Sequence, residues 1–185
     1  MEKGPKKIAC AIEVMEYQMG TPKNDYWWWT DGLYMVMPVM TKLHKVTGNK
    51  LYLKKLHEYL SYANSIMYDP EEKLYFRDAK YVYPKYKSVN GKKDFRARGD
   101  GWFFAGIAKV LPDLPKQVSD QKKYLQRFRD MAKAIAASQQ PAGYLFSRLI
   151  ARTYIQNAFC VRLTKGLILH RYAKLAAALL SWILP

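Results

Sequence analysis

Acidic residues are missing from the last quarter of this chain. All 15 Asp and Glu of its 185 residues fall before residue 141, while residues 141–185 carry six Lys or Arg. At the density of the earlier residues about five acids belong there, so the composition breaks near Pro141. We expect residues 1–140 to form the domain and 141–185 to be an atypical basic tail, translated out of frame. Cysteine is scarce as well. Cys10 and Cys160 stand far apart without ligand spacing, which excludes a disulfide framework and a zinc site. His44 and His57 fall in different helical runs and lack i, i+4 partners, so no metal and no cofactor is implied. Long apolar runs are also absent. Ile8–Ile12 meets Glu13 before an export signal can form, and Leu175–Leu184 is only ten residues, too short to cross a bilayer. The chain as written therefore reads as cytoplasmic and unattached to a membrane, with a periplasmic home open to a longer parent.

Aromatic residues and positive charge are abundant. Phe, Trp and Tyr make up 15% of the chain, the apolar share of 50% is enough for a core, and the net charge is +16. Such a charge invites a nucleic-acid or polyanion partner. That reading requires contiguous Lys and Arg beside exposed aromatics. Lys54 and Lys55 instead share the wet side of a helix with Glu58 and Asn64, and the balance without the tail falls to +10, from 25 basic and 15 acidic residues. No nucleic-acid partner is expected, and a basic polyanion-binding module stands as the alternative.

Apolar spacing predicts five helices. Ile8, Ile12, Met15 and Met19 mark the first. Leu33, Val36, Met37, Met40, Leu43 and Val46 mark the second, starting near Asp31 so that Pro38 lies by the first turn and ending at Gly48. Leu51, Leu53, Leu56, Leu60, Ala63 and Met67 give the third, and Phe103, Ile107, Val110 and Leu111 the fourth, closed by Pro112 and Pro115. Tyr124, Phe128, Met131 and Ile135 give the fifth and longest, Ser119–Gln140, beyond which Leu145–Ile155 and Leu163–Leu184 are only helix-permissive. Between the third and fourth, alternating runs at 74–78, 81–83 and 95–98 read as a β insertion, with Asn90-Gly91 as the hairpin turn of the last two.

Two motifs carry chemistry. Trp27-Trp28-Trp29-Thr30-Asp31 places three successive indoles before one carboxylate, and adjacent side chains cannot all face a core. Some of that surface should line a cavity, where indoles stack on a pyranose and surround an acid; otherwise two of the Trp fill the core and Asp31 caps a helix. Arg98-Gly99-Asp100-Gly101-Trp102 opens the fourth helix, with Asp100 able to cap it and hold Arg98. It also spells an adhesion tripeptide, a use that needs an exposed loop tip.

Together with Lys42–Gly48, Tyr68–Asp78 and Asn90–Lys93, these motifs in this order resemble the unsaturated glucuronyl and rhamnogalacturonyl hydrolases, glycoside hydrolase families 88 and 105, over roughly residues 1–140. The resemblance implies a mainly α, six-hairpin (α/α)6 barrel, here partial and carrying a small β-hairpin insertion. A closed barrel needs more than about 200 residues. It also implies the substrate, an oligosaccharide left by a polysaccharide lyase and ending in a 4,5-unsaturated uronic acid. Asp31 matches the catalytic acid of the family. Trp29, Arg98 and Trp102 match substrate-binding positions, and Trp28, Arg77 and Asp100 join them as candidates; Asp100 stands where the family usually shows Asn or Gln. The helix N-terminus favours the Asp31 carboxylate while the indoles favour the neutral acid, so both forms are within reach. A fragment without activity, exposing apolar helix faces, is the remaining alternative.

Overall fold

The computed structural model describes residues 5–115, 121–139, 145 and 149–150. The expectations for Cys160, for 163–184 and for most of the tail lie outside the described residues. Five α-helices occupy this region: α1 (Pro5–Met19), α2 (Thr30–Thr47), α3 (Leu51–Met67), α4 (Ala97–Val110) and α5 (Gln121–Ala137). All five stand where apolar periodicity puts them. The periodic residues supply most of the core: Met15 and Met19 from α1, Leu33, Met37, Met40 and Leu43 from α2, Leu56 and Met67 from α3, Phe103 and Ile107 from α4, and Phe128 and Met131 from α5. Each such side chain contributes about 1.5–3 kcal/mol when fully withdrawn from water. Tyr52 and Tyr59 of α3 are also fully buried; their rings lie inward while the hydroxyls reach Glu16 Oε1 at 3.3 Å and the Gln18 carbonyl at 3.2 Å.

Two helix expectations are corrected. α2 does begin at Thr30, but Pro38 lies inside the helix rather than in its first turn. A proline there has no N–H for the carbonyl one turn back, and the surrounding packing of Leu33, Met37 and Met40 offsets that loss. α2, at 18 residues, is also the longest helix among the described residues, ahead of α5 at 17. Its end is as expected: Gly48 adopts a left-handed φ of 73° and its N–H returns to the His44 carbonyl at 2.8 Å.

The hairpin exists, but elsewhere. β1 (Tyr68–Asp69) pairs antiparallel with β2 (Leu74–Tyr75), Tyr68 opposite Tyr75 and Asp69 opposite Leu74. Asp69 Oδ1 accepts the N–H groups of Glu71 and Glu72, and its other oxygen takes Lys93 Nζ at 2.9 Å, so this carboxylate shapes the turn. Asn90-Gly91 does form a tight turn, with Gly91 N–H on the Ser88 carbonyl and φ at 77°, but it joins no strands. Residues 79–81 form a 3-10 turn because Asp78 accepts the Lys80 N–H, and Ala97 already belongs to α4.

α2 packs mainly on α4 and α3, with α5 against α4. Glycines set the approach of α2 and α4. A methyl group on Gly99 would lie 2.7 Å from Thr30 Oγ1, and one on Gly106 would meet Met37 Cε at 2.8 Å and Tyr34 Cα at 3.2 Å. Early residues of one helix meet early residues of the other, and later meet later, so the two helices run parallel with their N-termini together. Phe104 stacks on Phe128 at 4.4 Å to hold α5 on the same layer. A second apolar cluster of Leu74, Phe76, Phe95 and Ala97 is joined by Leu145 and Leu149.

Candidate active site

The paired N-termini of α2 and α4 carry the candidate residues. The chain enters α2 through an isolated antiparallel bridge between Trp29 and Asp78, with Thr30 N–H on the Arg77 carbonyl at 3.1 Å. That bridge accounts for the fate of the three indoles, because extended backbone turns successive side chains to opposite faces. Trp27 is buried against Tyr59 at 5.2 Å, Trp28 is about half exposed, and Trp29 lies between. The Trp29 ring folds over the first turn of α2, where a Cβ on Gly32 would come within 3.1 Å of it. Trp28 and Trp29 contact at 4.8 Å and 50°, leaving open aromatic surface. One Trp, not two, serves the core.

Asp31 stands in the first turn of α2, where unpaired backbone N–H groups favour negative charge. It is half-buried, and Trp29 is the N-cap residue, so Asp31 does not cap the helix. Among the described residues its carboxylate forms no hydrogen bond and no ion pair. Arg98 stands in the first turn of α4, one residue before the glycine that touches Thr30, and is exposed. It too has no partner among the described residues. The expected restraint by Asp100 does not form, because that carboxyl turns to the Tyr75 N–H instead. Trp102, one turn beyond Arg98, is 39% exposed and packs on Tyr34 at 4.6 Å.

Tyr34 was not among the sequence candidates. Its spacing carries the signal: three residues after Asp31 it shares that face of α2, as Trp102 shares the face of Arg98 on α4. Lys109 holds it, donating to the Tyr34 hydroxyl at 2.6 Å with the ammonium also 4.1 Å from the ring centre. Arg77 is tied sideways. Its Nε donates to Asp78 Oδ2 at 2.9 Å and its guanidinium lies over Tyr81 at 4.3 Å, although part of the side chain stays exposed.

Asp100 is a correction. It is fully buried, and Oδ1 accepts the Tyr75 N–H at 2.8 Å, which ties β2 to the first turn of α4. A carboxyl group with no exposed surface presents nothing to a substrate. Burial pushes its proton affinity well above the usual carboxylate range, against a smaller opposing effect of the Tyr75 N–H, so the fold favours the neutral form. The same burial rules out an adhesion role for Arg98-Gly99-Asp100, which is helical rather than a loop tip. Among the described residues no group of three or more His, Cys, Asp or Glu is placed to hold a metal ion.

Helical hairpins that gather an acid, a guanidinium and indole faces at one end are the parts of a helical-barrel glycosidase. The chain belongs to Glycosyl Hydrolase Family 88, which it matches over residues 1–157. It is 33% identical over 145 residues to the unsaturated 3S-rhamnoglycuronyl hydrolase of Formosa agariphila, covering 74% of this chain and 38% of that protein. A glycosyl hydrolase family 88 structure from Bacteroides vulgatus is 59% identical, with a TM-score of 0.78 over 80% of this chain and 43% of its own. A structure described as a polysaccharide lyase is 67% identical, with a TM-score of 0.77 over 80% of this chain and 42% of its own. A family 105 glycoside hydrolase from C. acetobutylicum, at 21% identity and a TM-score of 0.63, shares the fold. The helices are thus part of an (α/α)6 barrel, and the chain spans less than half the length of these relatives.

Proposed function

We propose that Asp31 is the acid and base of a hydrolase acting on a 4,5-unsaturated uronic acid at the non-reducing end of an oligosaccharide. The observation that carries this reading is the pairing of two unengaged groups, the Asp31 carboxyl and the Arg98 guanidinium, at adjoining helix N-termini beside Trp29 and Trp102. Asp31 in its acid form gives its proton to C4, and positive charge develops across C5 and the ring oxygen. The resulting carboxylate takes a proton from water as the water oxygen bonds C5, which restores the acid. The C5 hemiketal then opens to a ketone and leaves C1 as a hemiacetal, which collapses to an aldehyde as its hydroxyl proton passes to the leaving oxygen and the neighbouring sugar departs as an alcohol. One carboxyl group serves both proton transfers, unlike a displacement at the anomeric carbon, which uses two.

Arg98 meets the uronate carboxylate, and the two helix N-termini reinforce that attraction. Trp29 and Trp102 stack on the sugar faces, with Tyr34 backing Trp102. Family membership and the name of the Formosa relative support the substrate class. The chemistry is tested by offering the chain an unsaturated uronyl disaccharide and its saturated counterpart. Loss of the conjugated enol-ether absorbance with release of reducing sugar, from the unsaturated compound only, is expected. Equal cleavage of the saturated compound contradicts a hydration mechanism.

A further inference from the structure

A separate cavity of about 530 Å³ opens between α3, the β1–β2 hairpin and α5, on residues that take no part in the Asp31 cluster. Its volume is in the range of small-molecule sites. Its chemistry is one-sided. Lys73, Lys123 and Arg127 bring positive charge, Tyr68 brings an aromatic face, and the one lining carboxylate, Asp130, already accepts from Gln126 Nε2 at 2.8 Å.

Two of these groups are set in place in advance. The Arg127 guanidinium carbon lies over the Tyr68 ring, 3.3 Å from its centre, which fixes a cation at the wall. Asn64 accepts the Tyr75 hydroxyl through Oδ1, so the amide hydrogens are what it has left to offer. Lys73 closes the hairpin turn at a φ of 59°, a conformation that favours glycine, and its ammonium has no partner among the described residues. The lining sets three cations against one carboxylate, with further donors from Ser61 and Asn64, which suits an oxyanion on a flat, hydroxyl-bearing body.

We propose that this cavity is a second, non-catalytic site for a sugar-borne oxyanion, a carboxylate or sulfate on an acidic oligosaccharide, which would hold a charged glycan against α3, α5 and the β1–β2 hairpin. The choice of a sugar rests on family membership, but the site does not depend on the role of Asp31. Saturated trigalacturonate, titrated into Arg98→Ala so that the uronate contact beside Asp31 is removed, separates the two claims. Titrating the full chain with it, with a sulfated disaccharide, with neutral maltotriose and with inorganic sulfate, by calorimetry, tests the proposal.

Either or both charged sugars bind, and maltotriose does not. Lys73→Gly with Lys123→Ala weakens that binding about tenfold or more, while Arg98→Ala leaves it unchanged. Both lysines are exposed and glycine suits the backbone at 73, so the double variant keeps its melting temperature. The proposal is overturned by absence of binding of both charged sugars, or by binding that the double variant leaves intact. Inorganic sulfate binding as tightly on the same lysines overturns it too, because the site is then one for small anions. None of these results bears on hydrolysis at Asp31.

Discussion

Replacing Gly99 by alanine tests the close approach of α2 and α4 that brings Asp31 and Arg98 together. Its new methyl group would sit 2.7 Å from Thr30 Oγ1, well inside ordinary contact, and Thr30 is itself fully buried in the first turn of α2. Overpacking of this kind costs about 1–3 kcal/mol. Removing a glycine from a helix returns about 1 kcal/mol, so Gly99→Ala is expected to range from neutral to about 2 kcal/mol destabilising. Gly101→Ala is the internal control, because a methyl group there meets nothing within 4 Å and only the propensity gain remains. The difference between the two variants cancels that gain and reads the clash, about 1–3 kcal/mol, or several degrees in melting temperature for a domain of this size. Thr30→Ala removes the opposing oxygen, which has no hydrogen-bond partner, so the Thr30→Ala, Gly99→Ala double variant is expected to recover most of the loss. Circular dichroism melts of the wild type and these four variants measure this directly. Gly99→Ala as stable as Gly101→Ala, or no coupling to Thr30, refutes the packing argument.

Arg98→Ala is expected to raise KM for an unsaturated uronide much more than it lowers kcat, with an unchanged melt, because Arg98 is exposed and unengaged; an unaltered KM argues against uronate binding there. Asp100→Asn concerns pH. A carboxyl that the fold favours in its neutral form, but that ionises near pH 4 when unfolded, loses stability for the protein as pH rises from there toward its raised folded value. Asp100→Asn removes that loss, so its stability advantage over the wild type grows as pH rises above the unfolded value. An advantage that stays constant as pH rises from there is inconsistent with a raised proton affinity at Asp100. Asp113 has the opposite sign. Burial raises its proton affinity, but Lys42 and Lys45, at 2.6 and 2.7 Å, outweigh it and leave the net value lowered. Its stabilisation is therefore complete above the unfolded value near pH 4 and disappears as pH falls through the folded value. Asp113→Asn should cost about 1–2 kcal/mol at neutral pH, since both lysines are half exposed, and should flatten the acid limb of a stability profile.

Helices were the legible part of this fold because each carries its own period. Leu33, Met37 and Met40 repeat at helical spacing wherever their partners lie. The hairpin was harder to locate, because Tyr81–Tyr83 and Phe95–Arg98 alternate as strands do, yet what decides their state is nonlocal: the Asp78 carboxylate captures Lys80, and the Arg96 carbonyl accepts the Asp100 N–H at 3.0 Å as α4 begins. Pro38 misled for a related reason, since burial of a whole helix face can carry a residue that disfavours it locally. At the site, the Trp cluster and Arg98 were readable as motifs that a core has no use for. Tyr34 and the burial of Asp100 were not, because both depend on which helix lies beside which.

The most direct test of the account is turnover of an unsaturated uronyl disaccharide by Asp31→Asn beside the wild-type chain, with the melting temperature of each. Since no protein group among the described residues engages the Asp31 carboxylate, the fold should be unchanged while loss of the enol-ether absorbance, present in the wild type, ceases. Undiminished turnover by Asp31→Asn would contradict the assignment of Asp31 as the acid.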